Sequence, residues 1–275
     1  MIKIDRLGWA AGVSFEVFGL RIGIRVRDAR IVDLLLARIP VGWTPLESDV
    51  VDRLYSVVTP AINRPNVRQL YVLYGDHGRL IRAVRFQELL DAFESDLDLH
   101  IAANSQNALF VHAGAVSWNG HAIVIPGRSQ VGKTTLVAEF LKSGAAYYSD
   151  DFAMIDGAGH LHPFPRELSI RTRNGTPRKV RPEELGASCA QARPISCVLV
   201  TEYEPGTWWS PEPVSRGRGM LSLMENTPSA RKQPIFALEV LQRALANADV
   251  LLGRRGDKKQ SVQQIQNYLD RRRPS

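Results

Sequence analysis

The sequence predicts an α/β protein in two parts, a small α+β unit over residues 1–107 and a larger α/β unit over 108–275. Three observations carry that prediction. A short apolar run at 121–126 leads into a glycine-rich stretch at 127–135. Apolar residues at helical spacing follow (Leu136, Val137, Phe140, Leu141) and stop at Gly144, which is the order strand, loop, helix. Asn119-Gly120 stands between two apolar runs, 109–118 and 121–126, the strongest short-range hairpin signal. Near the start, alternation on both sides of Gly19 reads as a further hairpin, 13–18 with 20–26.

The remaining elements follow in order. Residues 28–39 predict a helix with Ile31, Leu34, Leu35 and Ile39 on one face, stopped by Pro40. Strands are expected at 54–58 and 70–74. A longer helix is expected over 86–101, with Leu89, Leu90, Phe93, Leu97 and Ile101 inward. In the second part, a two-residue Asn-Gly loop pairs Trp118 with His121 and Val116 with Ile123, and so sets His112 beside Gly127. After a helix at 134–143 comes an apolar strand, 145–155, interrupted by Asp150-Asp151. A turn at 157–159, a buried strand at 195–201, a helix at 233–248 facing inward with Ile235, Leu238, Leu241, Leu245 and Ala248, and a strand at 249–252 complete the reading.

Composition narrows the class. With 275 residues, 44% hydrophobic and 23% charged, the chain can bury a core. Its two cysteines, Cys189 and Cys197, form no disulfide framework or metal spacing, and read as packed thiols in a reducing compartment. Lys3, Asp5, Arg6 and Glu16 interrupt any secretion signal, and no apolar segment is long enough to cross a bilayer. A soluble cytoplasmic protein with no membrane partner is the expectation. Of the net charge of +7, a net +5 falls in residues 251–275, which hold seven basic side chains against two acidic ones. A nucleic-acid face would be spread over the fold with aromatics interleaved. The excess here reads as a solvated C-terminal helix and tail, or as a docking arm for an acidic substrate or a neighbouring subunit.

One stretch names its own chemistry. Gly127, Arg128, Ser129, Gln130, Val131, Gly132, Lys133, Thr134 and Thr135 contain G-x-x-x-x-G-K-[ST], the cradle for the phosphates of a nucleoside triphosphate. The glycines allow close approach of backbone amides to the anion. Lys133 reaches the terminal phosphates, and the Thr134 hydroxyl ligates Mg²⁺. Phosphoryl transfer also needs a group to orient or deprotonate the acceptor and positive charge on the moving phosphoryl. Asp150 and Asp151 are the acid candidates. As neighbours on an extended chain they point to opposite sides. Glu202 and Glu204, after a later apolar strand, compete with them. His112 enters by its register. Arg171, Arg216 and Arg218 are candidate cations, the last two as a mobile flap flanked by glycines. His160 and His162 read as surface residues.

Together, 111–116, the glycine loop and 143–151 resemble the catalytic domain of HPr kinase/phosphorylase and its relatives. That family has a histidine about fifteen residues before the loop, matched by His112, and an Asp-Asp pair one helix after it, matched by Asp150-Asp151. The resemblance covers roughly 108–205. It implies a P-loop fold related to phosphoenolpyruvate carboxykinase, and Mg²⁺-assisted transfer from ATP to a serine-type hydroxyl. Asp150 or Asp151 would be the base and the other would assist the metal, here expected as Asp151 with Thr134. His112 would lie near the phosphates and join Lys133 of the loop and the candidate cation Arg171 in the catalytic set. The family's Glu-x-Arg-Gly-x-Gly signature has its nearest equivalent in 167–171, without those glycines. This places the chain nearer the relatives that modify peptide precursors, including lasso-peptide precursors, or small molecules than those that phosphorylate HPr. The implied partner is a hydroxyl-bearing peptide, protein or small molecule, and the family precedent is a homo-oligomer. The alternative function is a regulatory module that binds nucleotide without transferring a phosphoryl group.

Overall fold

The computed structural model describes residues 3–60, 69–127, 132–171 and 177–271. It divides into two compact units, Met1–Gln106 and Asn107–Ser275.

In the first unit, β1 (Ala11–Val17) and β2 (Leu20–Val26) form the hairpin expected around Gly19. Its two turn residues, Phe18 and Gly19, both have positive φ, the geometry that matches strand twist in a two-residue loop. The helix expected over 28–39 is cut short. Asp28 accepts the backbone N–H of Arg30 and holds the start as a 3₁₀ turn, and only α1 (Val32–Leu36) is α-helical. Then come β3 (Thr44–Pro45), β4 (Arg53–Val58), β5 (Tyr71–Gly75), β6 (Gly78–Ala83) and α2 (Phe86–Asn104). Among the described residues the sheet order is β3-β1-β2-β4-β5-β6. The expected face of α2, including Leu89, Phe93, Leu97 and Ile101, is buried. Phe93 meets Tyr55 edge to face at 5.0 Å.

The second unit opens with β7 (Ala108–Trp118) and β8 (His121–Pro126), paired as the Asn-Gly turn requires, with Trp118 opposite His121 and Val116 opposite Ile123. Next are α3 (Lys133–Lys142), β9 (Ala146–Ser149), β10 (Phe152–Asp156), β11 (His160–His162), β12 (Leu168–Arg171), β13 (Pro177–Val180), β14 (Arg193–Tyr203) and β15 (Glu212–Val214). α4 (Arg216–Glu225), α5 (Pro234–Ala244), β16 (Asp249–Arg255) and α6 (Lys258–Asp270) close it. The main sheet runs β11-β10-β7-β8-β14-β16-β15. Its centre, β8, β14 and β16, is parallel, and its flanks are antiparallel.

Strict alternation decides which helix covers which face. Ile123, Ile125, Cys197, Leu199 and Leu251 pack with Leu136, Val137 and Phe140 of α3 and with Val262, Ile265 and Leu269 of α6. Ala122, Val124, Val198 and Val250 pack on the other face with Leu223 of α4 and with Ala237, Val240, Leu241 and Ala244 of α5.

Three expectations are corrected. The inward face of α5 holds Ala237, Val240 and Ala244 beside Leu241, whereas Ile235 and Leu238 are exposed. Leu245 and Ala248, also expected inward, are buried just past the end of the helix, so the expected face holds at Leu241, Leu245 and Ala248 and fails at Ile235 and Leu238. Residues 216–219 are not a flap: Ser215 caps α4 by accepting from Arg218 N, and Gly219 packs on Val250. Cys197 is buried, but Cys189 is exposed. Among the described residues, no helix is long and apolar enough to cross a membrane.

Candidate active site

The β7–β8 hairpin delivers the first contact of the site. Gly127 N–H donates to the carbonyl of His112 at 3.3 Å, so the histidine stands beside the loop's first glycine. Residues Arg128, Ser129, Gln130 and Val131 lie outside the described residues. The chain is described again at Gly132, which caps α3 with φ 84°, a conformation that favours glycine. Lys133 is buried in the first turn. Its Nζ donates to the Gly127 carbonyl, joining the two ends of the loop, and lies 3.5 Å from His112 Nε2. Thr134 is half-buried and Thr135 exposed.

Gly114, two residues after His112, lets α3 sit this close. A Cβ there would come within 2.6 Å of Val137 Cγ2 and within 3.9 Å of Lys133 Cβ.

The acid doublet sits where the chain changes partner on β7. β9 ends with Ser149 opposite Ala115, and β10 begins with Phe152 opposite His112. Between them, Asp151 keeps its carbonyl bonded to Ala113 N–H at 3.1 Å. The two side chains part company as alternation requires. Asp150 is 2% exposed and accepts from the Thr134 hydroxyl, while Asp151 is exposed. Thus Asp150, rather than Asp151, lies against Thr134. Asp150 Oδ1 is buried with no hydrogen-bond partner among the described residues.

Burial, then the charge of Asp151, push the Asp150 carboxyl up to about 7, against the pull of Thr134 and Lys133. Burial also lowers the Lys133 ammonium, opposed by Asp150 and Asp151. The His112 imidazole is lowered by burial and then by Lys133, with Asp151 opposing. A neutral His112 can accept from Lys133 and aim it.

This arrangement suits a hard divalent cation. A buried carboxylate oxygen with no donor among the described residues, next to a threonine hydroxyl at a helix N-terminus, offers oxygen ligands of the kind Mg²⁺ takes. Among the described residues, no group of three His, Cys, Asp or Glu side chains could hold a metal alone. Mg²⁺ typically takes one or two protein ligands and completes its shell with water and phosphate oxygens.

The other candidates disperse. Arg171 is exposed at the end of β12, and among the described residues no hydrogen bond or ion pair joins it to Lys133 or the doublet. Glu204 holds Arg254 at 3.2 Å and accepts from Thr207, whereas Glu202 lines a cavity. His162 pairs with Asp156 at 2.7 Å, on the short strand β11 that pairs with both β10 and β14.

One residue escaped the sequence reading. Arg255, counted with the solvated tail, is 2% exposed and donates from Nη2 to the Gly132 carbonyl at 2.9 Å. Its guanidinium also lies 5.8 Å from the ring centre of Tyr203, its parallel partner on β14. The signal available was strand alternation continuing past 252, where the sequence looked merely basic.

Each described end of the loop lines a cavity. Gly127 lines one of about 710 Å³ at the carboxyl ends of β8, β14 and β16, closed on one side by α4. Crevices at the carboxyl ends of parallel strands are the usual ligand sites of α/β sheets. Gly132 and Thr135 line a smaller cavity of about 290 Å³ with Tyr203, Arg255, Asp257 and Lys258.

No protein-family model and no curated protein matches the chain. Among solved structures, the chain is similar to the HPr(Ser) kinase/phosphatase from Coxiella burnetii at 11% identity and a TM-score of 0.33, over 59% of this chain and 88% of that one. At that level the likeness is a distant one of fold.

Proposed function

We propose that this protein is an ATP-dependent kinase that transfers the γ-phosphoryl group to an alcohol. One observation carries the reading: the threonine that follows the loop lysine is hydrogen-bonded to a buried aspartate whose second oxygen has no partner among the described residues. The terminal phosphates belong at Lys133 and the N-terminus of α3, where a charged side chain and the helix dipole both favour an anion. The nucleoside belongs in the smaller cavity, where the exposed Tyr203 ring offers a stacking face beside Arg255.

Thr134 and Asp150 would hold Mg²⁺, which when bound neutralises charge on the phosphate oxygens. Lys133, aimed by neutral His112, stabilises the charge on the moving group. Asp151, exposed and beside both, takes the proton of the acceptor hydroxyl as its oxygen bonds to Pγ. The bond from Pγ to the bridging oxygen breaks, and ADP leaves.

Transfer of label from γ-labelled ATP to hydroxyl acceptors tests this. Asp151→Asn should keep Mg²⁺-supported nucleotide binding and lower transfer by about 10²–10⁴-fold. Asp150→Asn should weaken the Mg²⁺ dependence of nucleotide binding itself. Transfer indifferent to both changes would refute the assignment. Tight nucleotide binding with no phosphorylated product from any acceptor would leave the regulatory-module reading.

A further inference from the structure

We infer that the 710 Å³ cavity is the acceptor site, and that its acceptor is an alcohol carrying a cationic group. The inference rests on the kinase reading and specifies its substrate class.

Position comes first. The cavity begins at Pro126 and Gly127, where the loop starts, and reaches Ser222 and Asn226 at the end of α4. The Asn226 carbonyl accepts the backbone N–H of His112 at 2.7 Å, so this wall is tied to the strand that carries the histidine.

A second observation concerns Thr201, at the carboxyl end of β14. It is 7% exposed and lines the cavity, and its Oγ1 has no hydrogen-bond partner among the described residues. Enclosed hydroxyls are nearly always matched, so an unmatched one on a cavity wall points to a polar ligand.

Charge sets the ligand's chemistry. The chain carries +7 overall, yet among the described residues the wall holds Glu202, Glu212 and Glu225 against Arg218 and Arg254. Arg254 is already paired with Glu204, which lies outside the lining, and none of the three glutamates has an ion-pair partner among the described residues. A second metal ion is a poor fit, because these carboxylates form no cluster that could hold one. An extended organic cation is a better match, with its charge reaching the glutamates and its hydroxyl directed to Gly127. Trp208, 69% exposed, and Leu221 give that cation an aromatic face and an apolar rim for its stem.

The shared chemistry, a hydroxyl near an ammonium or guanidinium, could come from a small amino alcohol or from a serine between basic residues of a peptide. The experiment therefore has two arms. Ethanolamine, ethylene glycol and glycolate form one. Blocked Lys-Ser-Lys, Gln-Ser-Gln and Glu-Ser-Glu tripeptides form the other. In at least one arm the cationic acceptor should exceed its neutral counterpart in kcat/KM by about tenfold, and added salt should shrink the gap. The arm that responds identifies the source.

In the Glu212→Gln/Glu225→Gln double variant, the cationic acceptor's KM should rise toward that of the neutral one, with nucleotide Kd serving as the control for folding. Transfer without charge preference, or a preference the double variant leaves intact, overturns this inference and leaves the kinase reading standing. Nucleotide binding without transfer to any acceptor overturns both.

Discussion

Burial beside a second carboxylate holds the Asp150 proton up to about 7, against 3.8 for an unhindered aspartate. The sign of the consequence is definite. The native state binds this proton more tightly than the unfolded chain does, so rising pH costs stability through the window from about 4 to about 7. The cost is about 1.4 kcal/mol per pH unit as an upper limit, and it stays constant above the window. Asp150→Asn keeps an acceptor for Thr134 and removes the ionisation. In the absence of nucleotide and Mg²⁺, it should melt higher than wild type at pH 8, with the gain fading at pH 5. Thermal melts at both pH values check this, and an equal gain at the two would discard the account. On the kinase reading Mg²⁺ would supply the missing cation, so its addition should raise the melting temperature of the wild type more than that of the variant.

At the scale of elements, the site exists because α3 lies close over β7, and Gly114 sets that distance. Val137 is fully buried in the same cluster as Phe140 and Leu141, so it has little room to yield. Gly114→Ala should destabilise the protein by about 1–3 kcal/mol and weaken nucleotide binding by displacing Lys133, as denaturant melts and nucleotide titration can show. A neutral effect on both would mean that α3 adjusts freely.

Elements also explain what was legible in the sequence. Asn119-Gly120 fixes a two-residue turn, and the turn fixes the register, so His112 beside Gly127 could be read directly. Arg255 could not, because its hydrogen bond spans from β16 to Gly132, 123 residues apart, and depends on β14 pairing in parallel with β16. No local pattern encodes that pairing. The inward turn of Ala237 and the packing of Gly219 have a related cause: the core they join is built largely from strands distant in sequence, whereas the Ser215 cap of α4, three residues from Arg218, is local. The division of labour between Asp150 and Asp151 was half legible. Alternation separates their directions, but which one turns inward depends on where β9 stops and β10 starts.

Over the whole molecule, every side chain of the candidate site belongs to the second unit, Asn107–Ser275, which has apolar clusters on both faces of its sheet. The first unit buries its own set, with Phe15, Ile22, Tyr55, Leu73, Phe93 and Leu97 all inaccessible to solvent. Two separately satisfied cores suggest two folding units. A fragment comprising residues 107–275 should therefore unfold cooperatively and bind Mg²⁺-nucleotide with the affinity of the full chain. If instead it fails to melt cooperatively, the first unit contributes to the stability of the second. If it folds and binds nucleotide but transfers poorly to an acceptor that the full chain uses well, the first unit acts on the acceptor. Measuring nucleotide affinity and acceptor kcat/KM on the same fragment separates these outcomes, because the proposed base, metal ligands and acceptor cavity are all retained in it.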